Sequence, residues 1–249
     1  MLILCSNDDG YLASGLHTLV AAARSFAEVC VVAPDREQSA TSHALTMHTP
    51  LRAHRIDGDT FAVTGTPTDC IALALGALLE RRPDFVLSGI NHGPNMGEDV
   101  LYSGTVAAAM EATILGVPAV AVSYAGEDST GIGEYRPMLE ELLPQLVGRQ
   151  EFPRETLLNV NLPPISPAEV KGVCITRLAR RVYVDSLTRA TDPKGRPYFW
   201  IGGGGVEWTA PEGTDFHAVS RGYISVTPLH LDITNHALLA DVERWNLHL

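Results

Sequence analysis

The stretch LILCSNDDGYLASGL, residues 2–16, runs a short apolar segment into two adjacent aspartates and then into a helical pattern. Residues 2–5 are predicted as a buried strand. Leu16, Leu19, Val20 and Ala23 recur at i, i+3, i+4 and i+7, which makes one apolar stripe on a helix. Asp8 and Asp9 therefore stand where a strand gives out. Neighbouring carboxylates repel, and a cation, a helix N-terminus or open water best stabilises them there.

Working outward, the same alternation continues. Residues 28–33 (EVCVVA) read as a second strand, followed by a β excursion over 44–48, 51–56 and 61–64 with a turn at DGD. Thr66-Pro67 opens a helix whose inner face is Ile71, Leu75, Leu78 and Leu79. Residues 84–88 (DFVLS) form the next strand, and a long loop GINHGPNMGEDVLY follows. A helix over 104–115 carries Val106, Met110, Thr113 and Ile114 on one stripe, and 118–124 is again a short strand. The helix at 134–147 is expected to be kinked or broken at Pro144.

Short apolar strands alternating with helices mean a parallel sheet covered on both faces. The expected fold is α/β: a three-layer, mostly parallel Rossmann-like sheet with a C-terminal β-rich arm and a terminal helix. The division falls at 1–149 for the α/β core and 150–249 for the arm. Strands at 173–178 and 223–227, a glycine turn at 202–205 and a helix near 232–247 make up the second part.

At 249 residues, 45% hydrophobic and 19% charged, the chain has the composition of a soluble globular protein. Its formal charge of −11 argues against polymeric nucleic acid, which needs Lys and Arg to replace counterions. A small phosphorylated ligand is compatible with that charge, because a metal or helix dipoles supply local positive potential. No uncharged run approaches the roughly 20 residues that span a bilayer, so no membrane is expected. Cys5, Cys30, Cys70 and Cys174 lie far apart and read as reduced thiols, and no secretory signal is evident, so the expected compartment is the cytoplasm. There is no GxGxxG after the first strand, no GxxxxGK[ST], no HExxH and no GxSxG.

Ligands of such sheets bind at the carboxyl ends of the strands. Asp8 and Asp9, the DREQSAT loop, the GINHGPN loop and the Ser103-Gly104-Thr105 turn should converge there. Two carboxylates suit Mg²⁺ or Mn²⁺, which prefer oxygen donors and keep several waters. Ser39 and Asn91 are candidate neutral ligands at the same edge. Ser103 reads as a helix N-cap, and the turn around Gly104 and Thr105 offers backbone N–H groups to a phosphate. Asn95 is placed to donate its amide to the same oxygens, whereas Glu98 and Asp99 read as solvated loop charges.

These segments are recognisable together. SNDDG, VVAPDREQSATSHALT, TGTPTDC, SGINHGPNMGEDVLYSGTVAAAMEA and AVSRGYISVTPLHLDIT, in order between residues 2 and 234, resemble the successive signatures of the SurE family of metal-dependent nucleoside monophosphate phosphatases. The resemblance implies one divalent cation per subunit (Mg²⁺ or Mn²⁺) held by Asp8, Asp9, Ser39 and Asn91. It implies phosphate binding by Asn95, Ser103, Gly104 and Thr105. The implied substrates are nucleoside 5′-monophosphates, with 3′-monophosphates and short polyphosphate as extensions. The implied assembly is a homodimer or homotetramer built through the C-terminal arm.

Two routes to hydrolysis stay open at this stage: water deprotonated by Asp8 or Asp9, and attack by Asp8 itself. A nucleotide-binding sensor using the same residues without turnover is the alternative reading. A receiver domain is disfavoured because the strand ends at 88–91 and 123–125 carry neither the aspartate nor the lysine such a domain needs.

Overall fold

In the computed structural model, β1 (Leu2–Ser6) lies in the middle of a nine-stranded sheet, and residues 1–126, 128–148, 152–183, 187–201 and 206–248 are described. Along the chain follow α1 (Ser14–Ala23), β2 (Glu28–Pro34), β3 (Ala53–Asp57), β4 (Thr60–Val63) and α2 (Pro67–Leu73). Next come β5 (Phe85–His92), α3 (Gly104–Ile114), β6 (Ala119–Tyr124), α4 (Arg136–Val147) and β7 (Thr156–Leu162). The last part holds β8 (Val173–Ile175), β9 (Arg180–Tyr183), β10 (Leu187–Thr191), β11 (Pro197–Ile201) and β12 (Val206–Thr209). It closes with α5 (Asp215–Ser220), β13 (Ile224–His230) and α6 (Leu239–Glu243).

The sheet order is β3-β4-β2-β1-β5-β6-β7-β13-β8, antiparallel at β3–β4 and β7–β13 and parallel elsewhere. From β1 the chain winds to one side through α1 and β2, then crosses to β5 on the other side. That reversal opens a crevice at the carboxyl ends of β1 and β5. The strand side chains alternate between two cores. Ile3, Cys5 and Leu87 join α1 and α4 residues such as Leu16, Leu139 and Leu143 on one face. Leu4, Val86 and Ala121 join Ile71 of α2 and Val106, Ala108 and Ala112 of α3 on the other. Burial on both faces explains why the central strands are continuously apolar.

Several expectations from the sequence need correction. Residues 44–48 form no strand; that exposed segment is tied instead through Thr46, whose N–H and hydroxyl donate to the Asp69 carboxylate at 2.9 and 2.6 Å. Beyond Leu73 the second helix becomes a π-turn over Ala74–Leu78, so the 3.6-residue spacing breaks and Leu75, Leu78 and Leu79 are only partly buried. α3 packs through its alanines, which let the helix lie close to the sheet, while Ile114 is exposed. α4 runs through Pro144 without interruption. Leu139, Leu142, Leu143 and Val147 are buried along it, and that packing offsets the ~3 kcal/mol an internal proline costs.

The second part of the chain both completes the sheet, through β7, β8 and β13, and projects from it. β9 pairs with β12, and β10 with β11, as two separate antiparallel ribbons. The expected division at 149/150 and the glycine turn at 202–205 lie outside the described residues. Near the C-terminus only Leu239–Glu243 is α-helical, preceded by a 3-10 turn at His236–Leu238, rather than the longer helix expected over 232–247.

Candidate active site

The turn after β1 is closed locally. The Asn7 side-chain amide donates to the Gly10 carbonyl at 2.9 Å, and Gly10 (φ +95°) admits the backbone of Arg36 alongside. Two main-chain bonds then pin the next loop to this turn: Tyr11 N–H to Pro34 O (2.9 Å) and Gln38 N–H to Asp8 O (2.7 Å). They bring Ser39 to the mouth of the crevice.

Asp8, Ser39, Asn91, Asn95 and Ser103 line one cavity of about 730 Å³, together with Ala40, His92, Pro94, Asp99, Tyr102 and Ile201. Asp9 joins it through His92, whose backbone N–H donates to Asp9 Oδ2 at 3.1 Å. Gly104 stands directly against Asp8, and Thr105 donates its hydroxyl to Asp8 Oδ1. All eight residues singled out in the sequence are thus brought to one place.

Their individual roles are refined by their bonds. Ser103 caps α3 by accepting the Val106 N–H at 3.0 Å, which leaves the N–H groups of Gly104 and Thr105 in the first helical turn. Asn91 donates its amide to Gly93 O (2.8 Å), so its carbonyl oxygen is the atom left for a ligand. Ser39 is exposed and its hydroxyl donates to Glu37 at 2.8 Å. Asn95 is buried, and its Nδ2 donates one hydrogen to Ser123 Oγ at 2.8 Å, leaving the second.

Burial pushes the Asp8 carboxyl up to about 6; the Thr105 hydroxyl opposes this and the Asp9 charge adds to it. Asp9 is also raised by burial, against the opposing His92 N–H. Among the described residues no group of three or more His, Cys, Asp or Glu side chains is gathered for a metal. The donor set that does fit a hard cation is the carboxylate pair with the neutral oxygens of Ser39 and Asn91. A cation would relieve the ionisation penalty that burial imposes on the pair.

Three features went unseen in the sequence. Glu98 and Asp99 are not solvated loop charges. Asp99 pairs with the Arg181 guanidinium, and Glu98 Oε2 accepts the Arg181 backbone N–H at 2.5 Å, tying β9 to the cavity wall. Asp215, fully buried, accepts N–H groups from Gly97 (2.9 Å) and Ala179 (2.7 Å) and so joins the same wall to the root of the ribbons. His43 Nε2 meets Glu111 Oε2 at 2.7 Å, anchoring the Ser39 loop on α3. These links span long sequence separations, and no local spacing announces them.

Comparison with known proteins gives the family of the chain. The family model described as Survival protein SurE matches residues 3–185. The chain is 58% identical to a protein of Gemmatimonas aurantiaca named 5′-nucleotidase SurE, covering 98% of each chain. It is 49% identical to one of the same name from Geotalea uraniireducens, over 99% of this chain and 100% of the other. The crystal structure of SurE protein from Aquifex aeolicus superposes with a TM-score of 0.87 at 40% identity, covering 99% of this chain and 100% of that one. With a family match over most of its length and relatives aligned from end to end, this chain belongs to the SurE family.

Proposed function

We propose that this chain is a divalent-cation-dependent phosphatase that hydrolyses nucleoside 5′-monophosphates to nucleoside and phosphate. The observation that carries the reading is the buried Asp8 carboxylate, which lines the cavity and lies against the N-terminus of α3, with the half-buried Asp9 beside it. The name 5′-nucleotidase SurE, borne by full-length relatives, supports the substrate class. 3′-Monophosphates and short polyphosphate are further substrates of the same chemistry.

Asp8, Asp9, Ser39 and Asn91 would hold one Mg²⁺ or Mn²⁺ per subunit. When bound, such a cation polarises a phosphoryl oxygen and lowers the pKa of water. The chain supplies the rest. The Gly104 and Thr105 N–H groups, at the positive end of the α3 dipole, donate to the phosphoryl oxygens. Asn95 adds the second hydrogen of its amide. Thr105 fixes the Asp8 carboxylate in one orientation. The carboxylate of Asp8 or Asp9 takes the proton of the attacking water; an acid-quenched phospho-enzyme carrying substrate phosphate would instead establish attack by Asp8.

The ribbon β10–β11 exposes Leu187, Phe199, Trp200 and Ile201, and near the C-terminus Ile233, Trp245 and Leu247 are exposed as well. This apolar surface supports assembly into a homodimer or homotetramer through the arm. Three buried free thiols and a partly buried fourth support a reducing compartment, the cytoplasm. No helix among the described residues is long and apolar enough to cross a membrane.

The test is phosphate release from a panel of nucleoside 5′- and 3′-monophosphates with Mg²⁺, Mn²⁺ or EDTA. Release that needs the metal and favours 5′-monophosphates supports the proposal. No release from any nucleotide with either metal overturns it.

A further inference from the structure

Asn95 sits in the loop that leaves β5, where a backbone is ordinarily solvated. Here it is buried, and both polar groups of its main chain are claimed by side chains of β7. Asn161 Oδ1 accepts the Asn95 N–H at 2.9 Å, and Asn161 Nδ2 donates to the Asn95 carbonyl at 3.0 Å. Asn159 Nδ2 donates to the same carbonyl at 2.8 Å. One neutral amide thus does for this loop what a neighbouring strand would do. Only Asn or Gln carries a donor and an acceptor in that fork.

The sequence of β7, TLLNVNL, accounts for the arrangement. With a period of two, Val160 and Leu162 enter one core while Asn159 and Asn161 face the other side. Asn161 is in register with Ser123 of β6, the residue that accepts the Asn95 side-chain amide. Both asparagines are fully buried, alternating with Leu158, Val160 and Leu162 along the strand. Burying two amides costs free energy unless their bonds are made, and all three of their donated or accepted bonds go to one cavity-lining residue.

We propose that Asn161, backed by Asn159, is a positioning residue for phosphoester hydrolysis: it holds the Asn95 main chain at both polar groups and so presents the Asn95 side-chain amide to the substrate phosphoryl group. This rests on the phosphatase reading above.

The experiment uses the full chain in four forms: wild type, Asn161→Asp, Asn95→Ala and the double variant. Asn161→Asp keeps the size and the acceptor but turns the donor to Asn95 O into a repelling carboxylate oxygen. Mn²⁺ affinity and binding of inorganic phosphate to the Mn²⁺-loaded protein are measured by titration, and kcat and KM are measured with a nucleoside 5′-monophosphate. The expected result is phosphate affinity and kcat/KM both lowered about 10- to 100-fold in Asn161→Asp, with Mn²⁺ affinity within about threefold of wild type. The double variant should be no worse than Asn95→Ala alone, because Asn161 acts through Asn95.

Losses that multiply in the double variant, or a Mn²⁺ affinity that falls in parallel, would assign Asn161 to general core integrity and overturn the proposal. Should Asn161→Asp fail to fold, Asn159→Ala decides. Weakened phosphate binding at unchanged Mn²⁺ affinity supports the clamp, and unchanged phosphate binding overturns it. A wild-type protein that binds phosphate but hydrolyses no nucleotide sinks the phosphatase reading instead, and the phosphate titrations still judge the clamp.

Discussion

Gly104 stands so close to Asp8 that a Cβ on it would lie 2.8 Å from the aspartate Cβ and 3.0 Å from Oδ2. The first turn of α3 and the acidic turn after β1 meet there with no side chain between them. Under the proposed function, this approach would let one phosphoryl group reach both a cation at the carboxylates and the helix N–H groups.

Gly104→Ala should therefore force Asp8 or the helix start to move. Overpacking of this kind costs ~1–3 kcal/mol, or about 5- to 150-fold if expressed in kcat/KM. Steady-state kinetics beside Mn²⁺ titration checks it. Activity and metal affinity should fall together, and wild-type values for both would contradict the close approach.

Thr105 gives its hydroxyl to the buried Asp8 carboxylate, so Thr105→Val should leave that carboxylate short of a donor. A hydrogen bond to a charged group contributes ~1.5–3 kcal/mol, so Mn²⁺ affinity should drop roughly 10- to 150-fold. Thr105→Ser, which keeps the hydroxyl, should retain most of the affinity. Affinity kept in Thr105→Val but lost in Thr105→Ser would instead place the role of Thr105 in its methyl group.

Asp215 joins the Gly97 turn to the root of the ribbons through two backbone N–H groups, and burial holds its carboxyl above the usual carboxylate range. Asp215→Asn must turn an amide toward one of those donors, at a cost of ~1–3 kcal/mol. The pH dependence has a definite sign. Because the folded-state pKa is raised, the native chain binds the proton more tightly than the unfolded chain. Stability from this residue is greatest below the ordinary carboxylate value and is lost as pH rises toward the raised one. The stability gap between wild type and Asp215→Asn, from denaturant titrations, should shrink as pH climbs from below the ordinary carboxylate value through the raised one, and then level off.

Thiol reactivity offers a test of the core. Burial raises Cys5, pushes Cys30 up to about 12 and lifts Cys70 well above the usual thiol value, whereas Cys174 is only partly buried. A thiol-specific reagent should label one cysteine quickly in the native protein, at Cys174, and all four after unfolding. Fast labelling of Cys5 or Cys70 in the native state would contradict the buried placement.

The parts of this molecule that sequence reveals are the local ones. The alternation of apolar strands and helices exposed the parallel sheet, and the crevice at the carboxyl ends of its strands followed from it. Ser103 announced itself as a cap because its serine precedes a run of helix formers. Asn159 and Asn161 could have been noticed as an N-x-N pair at period two in an apolar strand. Their target, however, depends on β7 lying beside β6. The Asp215 bond to Gly97 and the Asp99 pairing with Arg181 required the chain to return from far downstream, and no residue spacing encodes that return. The inner face of α3 was misjudged because alanines, which weigh little in an apolar count, pack where larger side chains cannot.

The most direct measurement is a titration of EDTA-stripped protein with Mn²⁺, following phosphate release from a nucleoside 5′-monophosphate in parallel, for wild type and Asp9→Asn. If Asp8 and Asp9 hold the catalytic cation, wild type should regain activity on binding one equivalent per chain. Asp9→Asn should bind the metal at least tenfold more weakly and lose activity in step. Undiminished release after EDTA treatment, or an Asp9→Asn variant with wild-type metal affinity and turnover, would contradict that assignment.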